Sequence, residues 1–305
     1  TIKWSDKEVY NTVLNFSRME AELARQAYQL GNDVRDWKVS FAQKDLQESG
    51  LSKANIKPIL YRPFDIRYTY YTGNSRGFHC MPRHDVMRHM LKDNIGLSLS
   101  KRVEGNKAWE HVFVSDKIIT HHTVSMKEVN FLLPLYLYKE KIAKKSHFHT
   151  LMLFEPEADY GDKDKIPNID KAVYEKLNKT YTKKLTPEEI LHYIYAVFYS
   201  NTYREKYAEF LKIDFPRVPF TADYKVFSKM ADFGQQIADL HLMKSDALNK
   251  PIAKYQGRGD NDKIEKIIYS AEEKRIYINK EKYFDNVSPE LWNYQIGGYQ
   301  VLQKY

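Results

Sequence analysis

The sequence predicts an α/β protein of the α+β kind: a mixed sheet with packed helices in a first lobe, then a mainly helical part and a C-terminal hairpin. Three observations predict it. The hydrophobic period switches from helical to alternating near residue 59. Short apolar runs at 95–100, 112–114 and 131–138 have the length of buried strands. Thr186-Pro187-Glu188-Glu189 is a clear helix start in the second half, with Thr as cap, Pro in the first turn and Glu at the third position.

In chain order, Ser5-Asp6-Lys7-Glu8 is a capping box. Val9, Val13, Phe16 and Leu23 follow at helical spacing as far as Gly31, which predicts one long amphipathic helix. In "ILYRPFDIRYTYYTG" (59–73), Asp65, Arg67, Thr69 and Tyr71 alternate with Ile66, Tyr68 and Tyr70, a strand with one polar, cationic face. Residues 72–77, "TGNSRG", are a loop by composition. Pro82 opens a short helix whose Val86, Met87, Met90 and Leu91 form an apolar stripe, with His84 and Arg88 opposite. Residues 140–184, rich in lysine and acid and without period, are expected to be a linker or long loop. The helix after Thr186 buries Ile190, Leu191, Ile194, Tyr195 and Phe198. A second helix covers about 203–211, and Thr221 is expected to cap a third running toward Met243. Segments 263–270 and 274–279 predict a hairpin, and Ser288-Pro289-Glu290 starts a last helical piece, interrupted at Gly297-Gly298. The segments are then a helical lead-in (1–58), an α+β lobe (59–139), a linker (140–184) and a helical part with a hairpin and terminal helix (185–305).

A chain of 305 residues with 43% hydrophobic residues buries a substantial core, and no apolar run reaches membrane length. The single cysteine, Cys80, excludes an intramolecular disulfide framework and fits a reducing cytoplasm. A start without Met or an apolar leader reads as the interior of a longer polypeptide. The net charge of +8 is unevenly spread: between Arg62 and Lys107 nine Lys and Arg face four acids. Six of the 13 arginines lie in that window, and arginine's planar fork suits phosphates and guanine edges. The plain alternative is a solvated basic face.

Catalytic signatures are missing. There is no Gly-x-Gly-x-x-Gly, no P-loop, no His-Glu-x-x-His, no Gly-x-Ser-x-Gly and no Asn/Asp-Pro-Pro-Tyr loop. His79, Cys80, His84 and His89 do not have the spacing of zinc ligands. His121 and His122 are adjacent, so in a strand they point to opposite faces and do not share an ion.

"YRPFDIRYTYY" resembles the motif that opens the C-terminal specificity region of type ISP restriction–modification enzymes, single polypeptides joining a nuclease, a helicase-like translocase, an adenine methyltransferase and a target recognition domain. "MPRHDVMRHML" with "NIGLSLSKR", "HVFVSDKIITHH" with "FLLPLYLY", "LTPEEILHYIYAVFYSNTYREKYAEFLKIDFPRVPF" with "FGQQIADLHLM", and "LWNYQIGGYQVLQKY" are similar to further blocks in the same order, so the likeness runs from about Leu60 to the end. The upstream catalytic parts and the basic segment expected after Tyr305 do not appear in it.

The resemblance implies a module that recognises double-stranded DNA in a sequence-specific way and serves a methyltransferase domain of the same polypeptide. S-adenosylmethionine, ATP and Mg belong to the other domains, with no cofactor, no metal, no catalytic residue and no membrane contact in this segment. Residues 1–58 would connect to the methyltransferase. Because members recognise different targets, the shared Tyr61, Arg62, Pro63, Phe64 and Asp65 are expected to be frame: Arg62 and Asp65 pair or hold a turn, and Phe64 is buried. Base-reading candidates lie in three loops: Asn74, Ser75, Arg76 and His79; Lys101, Arg102, Asn106 and Lys107; and His121, His122 and Thr123. Arg67, Arg83 and Arg88 are the phosphate candidates. Two other readings stay open, a stand-alone metal-dependent nuclease and a helical protein-interaction scaffold.

Overall fold

The computed structural model describes residues 1–104, 108–139 and 164–304. The first strand, β1 (Ile2–Lys3), leads into α1 (Asp6–Arg18), whose capping box is formed by Ser5 and Glu8 as the sequence predicts. The single long helix does not form. The chain turns extended at Met19 and Glu20, and α2 (Ala21–Ala27) starts afresh with the Glu20 carboxylate accepting from the amides of Glu22 and Leu23. α3 (Val39–Glu48) follows, and the three helices bury Val9, Val13, Phe16, Ala24, Val39, Ala42 and Leu46 against Tyr70 and Phe78. The lead-in is therefore continuous with the first lobe through one core.

That lobe holds two sheets. β2 (Ile56–Arg62) and β3 (Asp65–Tyr70) form a hairpin, then comes the short α4 (His84–Met87). β4 (Gly96–Ser100), β5 (Val112–Ser115), β6 (Ile118–Ile119) and β7 (Asn130–Pro134) follow. The first sheet has the order β1-β3-β2-β6 and is mixed, because β6 runs parallel to β2 while the other pairs are antiparallel. The second is antiparallel, β5-β4-β7, and every residue of β4 is buried. Pro82 lies outside α4, which instead begins after Arg83 in a left-handed conformation.

β8 (Tyr136–Tyr138) pairs with β9 (Lys165–Pro167), and α5 (Lys171–Tyr181) follows. Both β9 and α5 fall in the expected linker 140–184. Asp170 caps the helix, and Tyr174, Leu177 and Tyr181 give it a buried face, so this part of the linker is packed structure. Residues 140–163 lie outside the described residues.

α6 (Pro187–Tyr199), α7 (Asn201–Lys206), α8 (Ala208–Ile213) and α9 (Tyr224–His241) make the helical part. α9 is capped by Asp223 rather than Thr221. α6 and α9 approach closely at Gly234, where an added Cβ would lie 1.8 Å from the carbonyl oxygen of His192. Leu97, Leu99, Val112 and Val114 of the second sheet join Ile190, Tyr195, Phe198 and Phe227 in the largest core.

β10 (Lys254–Gly257), β11 (Ile268–Ser270), β12 (Arg275–Tyr277) and β13 (Lys282–Asp285) form a small antiparallel sheet in the order β10-β13-β12-β11. The predicted hairpin is its β11–β12 edge. After α10 (Pro289–Trp292), β14 (Gln295–Ile296) and β15 (Tyr299–Gln300) turn at Gly297-Gly298, and α11 (Val301–Lys304) ends the described chain. This terminal hairpin returns to the first lobe. Ile296 and Val301 are packed with Ile59, Leu60, Phe113 and Ile118.

Candidate nucleic-acid interface

The "YRPFD" motif is a tight hairpin turn. Arg62 and Asp65 are cross-strand neighbours, with Pro63 and Phe64 forming the connection and Phe64 at φ 64°. A left-handed Phe is strained, and its ring is held edge-on to Phe113 (5.2 Å between centroids) and to His241 of α9 (5.6 Å). Phe64 is half-buried rather than buried, because it spans the seam between the first lobe and the helices.

Arg62 and Asp65 do not pair. The Arg62 guanidinium donates to the Tyr61 carbonyl (2.7 Å) and the Thr120 hydroxyl (3.2 Å) and lies over the rings of Tyr61 and Tyr299. Asp65, buried, instead takes a forked pair of bonds from Arg67, two residues along the same strand face. Arg67 is also sandwiched between Trp4 (3.9 Å) and Tyr61 (4.3 Å). Its charge is neutralised and its faces covered, so Arg67 belongs to the frame and leaves the phosphate set. The polar face of β3 points inward here, with Thr69 fully buried, while Ile66 is 41% exposed.

The first loop hangs from a carboxylate that no sequence motif announces. Asp45 on α3, 4% exposed, accepts from the Thr72 hydroxyl (2.8 Å), the Asn74 amide side chain (2.7 Å) and the Phe78 backbone N–H (2.7 Å). Gly77 is required by this approach, since a Cβ there would sit 2.3 Å from an Asp45 oxygen. Asn74, Ser75 and Arg76 are exposed, with Arg76 at φ 58° and 3.3 Å from Asp36. His79 points the other way. Its Nε2 is 3.2 Å from the Thr69 hydroxyl, its ring packs on Phe78 and Tyr71, and burial pushes its pKa down to about 4. His79 is thus packed inward, away from the exposed side chains of its loop.

In the second loop Lys101 and Arg102 are exposed, and Lys101 lies 3.6 Å from Asp214 and over the Phe215 ring. Asn106 and Lys107 lie outside the described residues. The third loop is anchored from below. Thr123 is fully buried and its hydroxyl bonds to the carbonyls of Leu60 and Thr120, so it is removed from the reading set. Tyr299 donates to the His122 carbonyl (2.8 Å), and Gly298 to that of Val124 (2.9 Å). Gly297, at φ 57°, brings its backbone so close that a Cβ would lie 1.8 Å from the Val124 oxygen. His121 is exposed and His122 half-buried. Burial, then His122, then Arg83 lower the His121 pKa, so the imidazole is neutral beside an exposed arginine. Arg88 is half-buried and donates to the Tyr138 carbonyl (2.9 Å), which makes it a brace rather than a free cation.

The loops are neighbours. Asn130 bonds the His121 carbonyl on one side and the Ser100 hydroxyl on the other, and Glu104 donates its N–H to Glu128 (2.9 Å). These bonds join the second loop to the third, and Arg83, at the end of the first, is near enough for its charge to act on His121. These adjoining loops expose Asn74, Ser75, Arg76, Arg83, Lys101, Arg102 and His121, while Arg62, Asp65, Arg67 and Asp45 are buried or half-buried.

The structure thus joins an aromatic scaffold to adjoining loops with exposed polar side chains. The chain belongs to the Type ISP C-terminal specificity domain family, whose model matches residues 1–305. A comparison with curated proteins finds no match. Among solved structures the chain is similar to the cryo-EM structure of a DrdV–DNA complex, at 19% identity and a TM-score of 0.67 over 99% of this chain and 29% of that one. It is also similar to the ATP-dependent Type ISP restriction-modification enzyme LlaBIII bound to DNA, at 20% identity and a TM-score of 0.65 over 99% of this chain and 19% of that one. A nuclease-deletion mutant of the Type ISP enzyme LlaGI with a DNA substrate mimic gives 18% identity and a TM-score of 0.60, covering 97% and 26%. These likenesses are of fold, and the chain spans under a third of each relative's length.

Proposed function

We propose that the chain reads the sequence of double-stranded DNA and so supplies target specificity to catalytic domains of the same polypeptide, an adenine methyltransferase and an ATP-dependent translocase and nuclease. S-adenosylmethionine, ATP and Mg serve those domains, and the chain works in the cytoplasm with its DNA. The observation that carries the reading is the set of adjoining loops whose arginine, lysine, asparagine and histidine side chains are exposed, while Arg67 of the frame is paired with Asp65. Forked and amide donors suit base edges in the major groove, and lysines and hydroxyls position on phosphates without selecting. The solved relatives described as DNA complexes support the same partner. Among the described residues no helix is long and apolar enough to cross a membrane.

The test is duplex binding at rising salt. Neutralised phosphates release counterions, so log affinity falls linearly with log salt. Weak, salt-steep binding is expected, because a recognition domain alone holds one side of the duplex. Absence of binding at low salt would contradict the proposal.

A further inference from the structure

Of the six arginines between Arg62 and Arg102, four have a partner in the protein: Arg62 with Thr120, Arg67 with Asp65 and Arg88 with Tyr138 in part-buried bonds, and Arg76 with Asp36 in an exposed ion pair. Among the described residues the guanidinium groups of Arg83 and Arg102 have no hydrogen bond or ion pair with the protein. Arg83 differs from Arg102 in its backbone, which sits at φ 52° and ψ 49°. That region strains any residue with a Cβ, and glycine would adopt it freely. A phosphate contact tolerates a loosely held cation. Arg76 shares the left-handed backbone at φ 58° but faces Asp36. Of these six arginines Arg83 alone therefore joins backbone strain to a guanidinium without a protein partner, and such strain points to a side chain whose direction matters. Beside it the His121 imidazole, held neutral, adds a donor and an acceptor but no charge.

We infer that Arg83 is a base reader, its fork directed at the O6 and N7 of a guanine in the major groove with His121 alongside, and not a phosphate contact. The inference rests on the proposed DNA reading and assigns one base to one residue.

The experiment is enrichment of bound sequences from a randomised duplex pool at low salt, for the natural chain, Arg83→Gly and Arg83→Lys. The natural chain is expected to enrich a motif with a fixed guanine. Both variants should lose roughly tenfold or more of the preference at that one position and leave the others nearly intact, since lysine lacks the fork. Arg83→Gly should melt no lower than the natural chain, which separates impaired reading from impaired folding. An unchanged motif in both variants, or an equal loss of affinity for every sequence, would overturn the inference while the DNA reading stands. A natural chain that enriches nothing would overturn both.

Discussion

Asp45 on α3 holds the Asn74 side chain at 2.7 Å, across 29 residues of sequence, and so fixes the first loop to the N-terminal helices. The same carboxylate holds Thr72 and the Phe78 N–H. Removing one buried anion therefore strands three donors. Asp45→Ala should destabilise the chain by on the order of 3 kcal/mol and raise amide exchange across 72–79, measured by denaturant melts and hydrogen exchange. Unchanged exchange in that loop would show that something else holds it.

Phe64 sits at φ 64° at the hinge of the β2–β3 hairpin. At ordinary positions glycine is less stable than alanine. Here the order should invert, with Phe64→Gly more stable than Phe64→Ala by about 1 kcal/mol. Both should fall about 2 kcal/mol or more below the natural chain, because neither keeps a ring to pack edge-on against Phe113 and His241. Alanine at or above glycine in a thermal melt would rule out the strained turn.

Acid should loosen the seam behind that turn. His241 stacks on Phe113 and its Nδ1 shares a 2.7 Å hydrogen bond with the Tyr195 hydroxyl; burial first, then Arg204, push its pKa down to about 4. The unfolded imidazole titrates near 6.5, so between those values the unfolded state binds the extra proton. Stability is whole above about pH 6.5 and falls toward pH 4 at about 1.4 kcal/mol per pH unit for this group. His241→Gln should flatten the curve, and His79, shifted the same way, should keep part of the slope. A melting temperature whose pH dependence is identical in the variant would exclude the mechanism.

The exposed ion pairs of Arg76 with Asp36 and Lys101 with Asp214 are weak enough to open toward a phosphate. Replacing Arg76, Lys101 and Arg102 with alanine should reduce the salt slope of duplex binding by about 0.9 for each phosphate that is no longer neutralised. An unchanged slope would move the electrostatic interaction elsewhere on the molecule.

How far the sequence reveals this arrangement depends on the range of the interactions. Capping boxes at Ser5 and Thr186 are local, and both form as read. The period-two pattern of β3 correctly puts Asp65 and Arg67 on one face, but periodicity alone does not say that this face turns inward once Arg67 is paired and stacked. The break at Met19 and Glu20 is hidden because a glutamate looks like a helix former until its side chain folds back as a cap. α5 is obscured by lysines on its solvent face, although Tyr174, Leu177 and Tyr181 carry its helical spacing. In the site, loop composition finds the exposed Asn74, Arg76, Lys101, Arg102 and His121. It does not separate them from His79 and Thr123, whose burial depends on Thr69 and Leu60. Asp45 and Gly297 act across long sequence separations, beyond the reach of any local pattern.

The central claim is that the three adjoining loops meet duplex DNA while the aromatic β2–β3 hairpin does not. Hydrogen exchange with and without saturating duplex at low salt tests it most directly. DNA should add protection at 72–83, 100–104 and 120–130 and none at the β2–β3 hairpin (56–70) or the small sheet at 254–285. Protection confined to that small sheet, or none anywhere in the three loops while DNA is bound, would contradict the account.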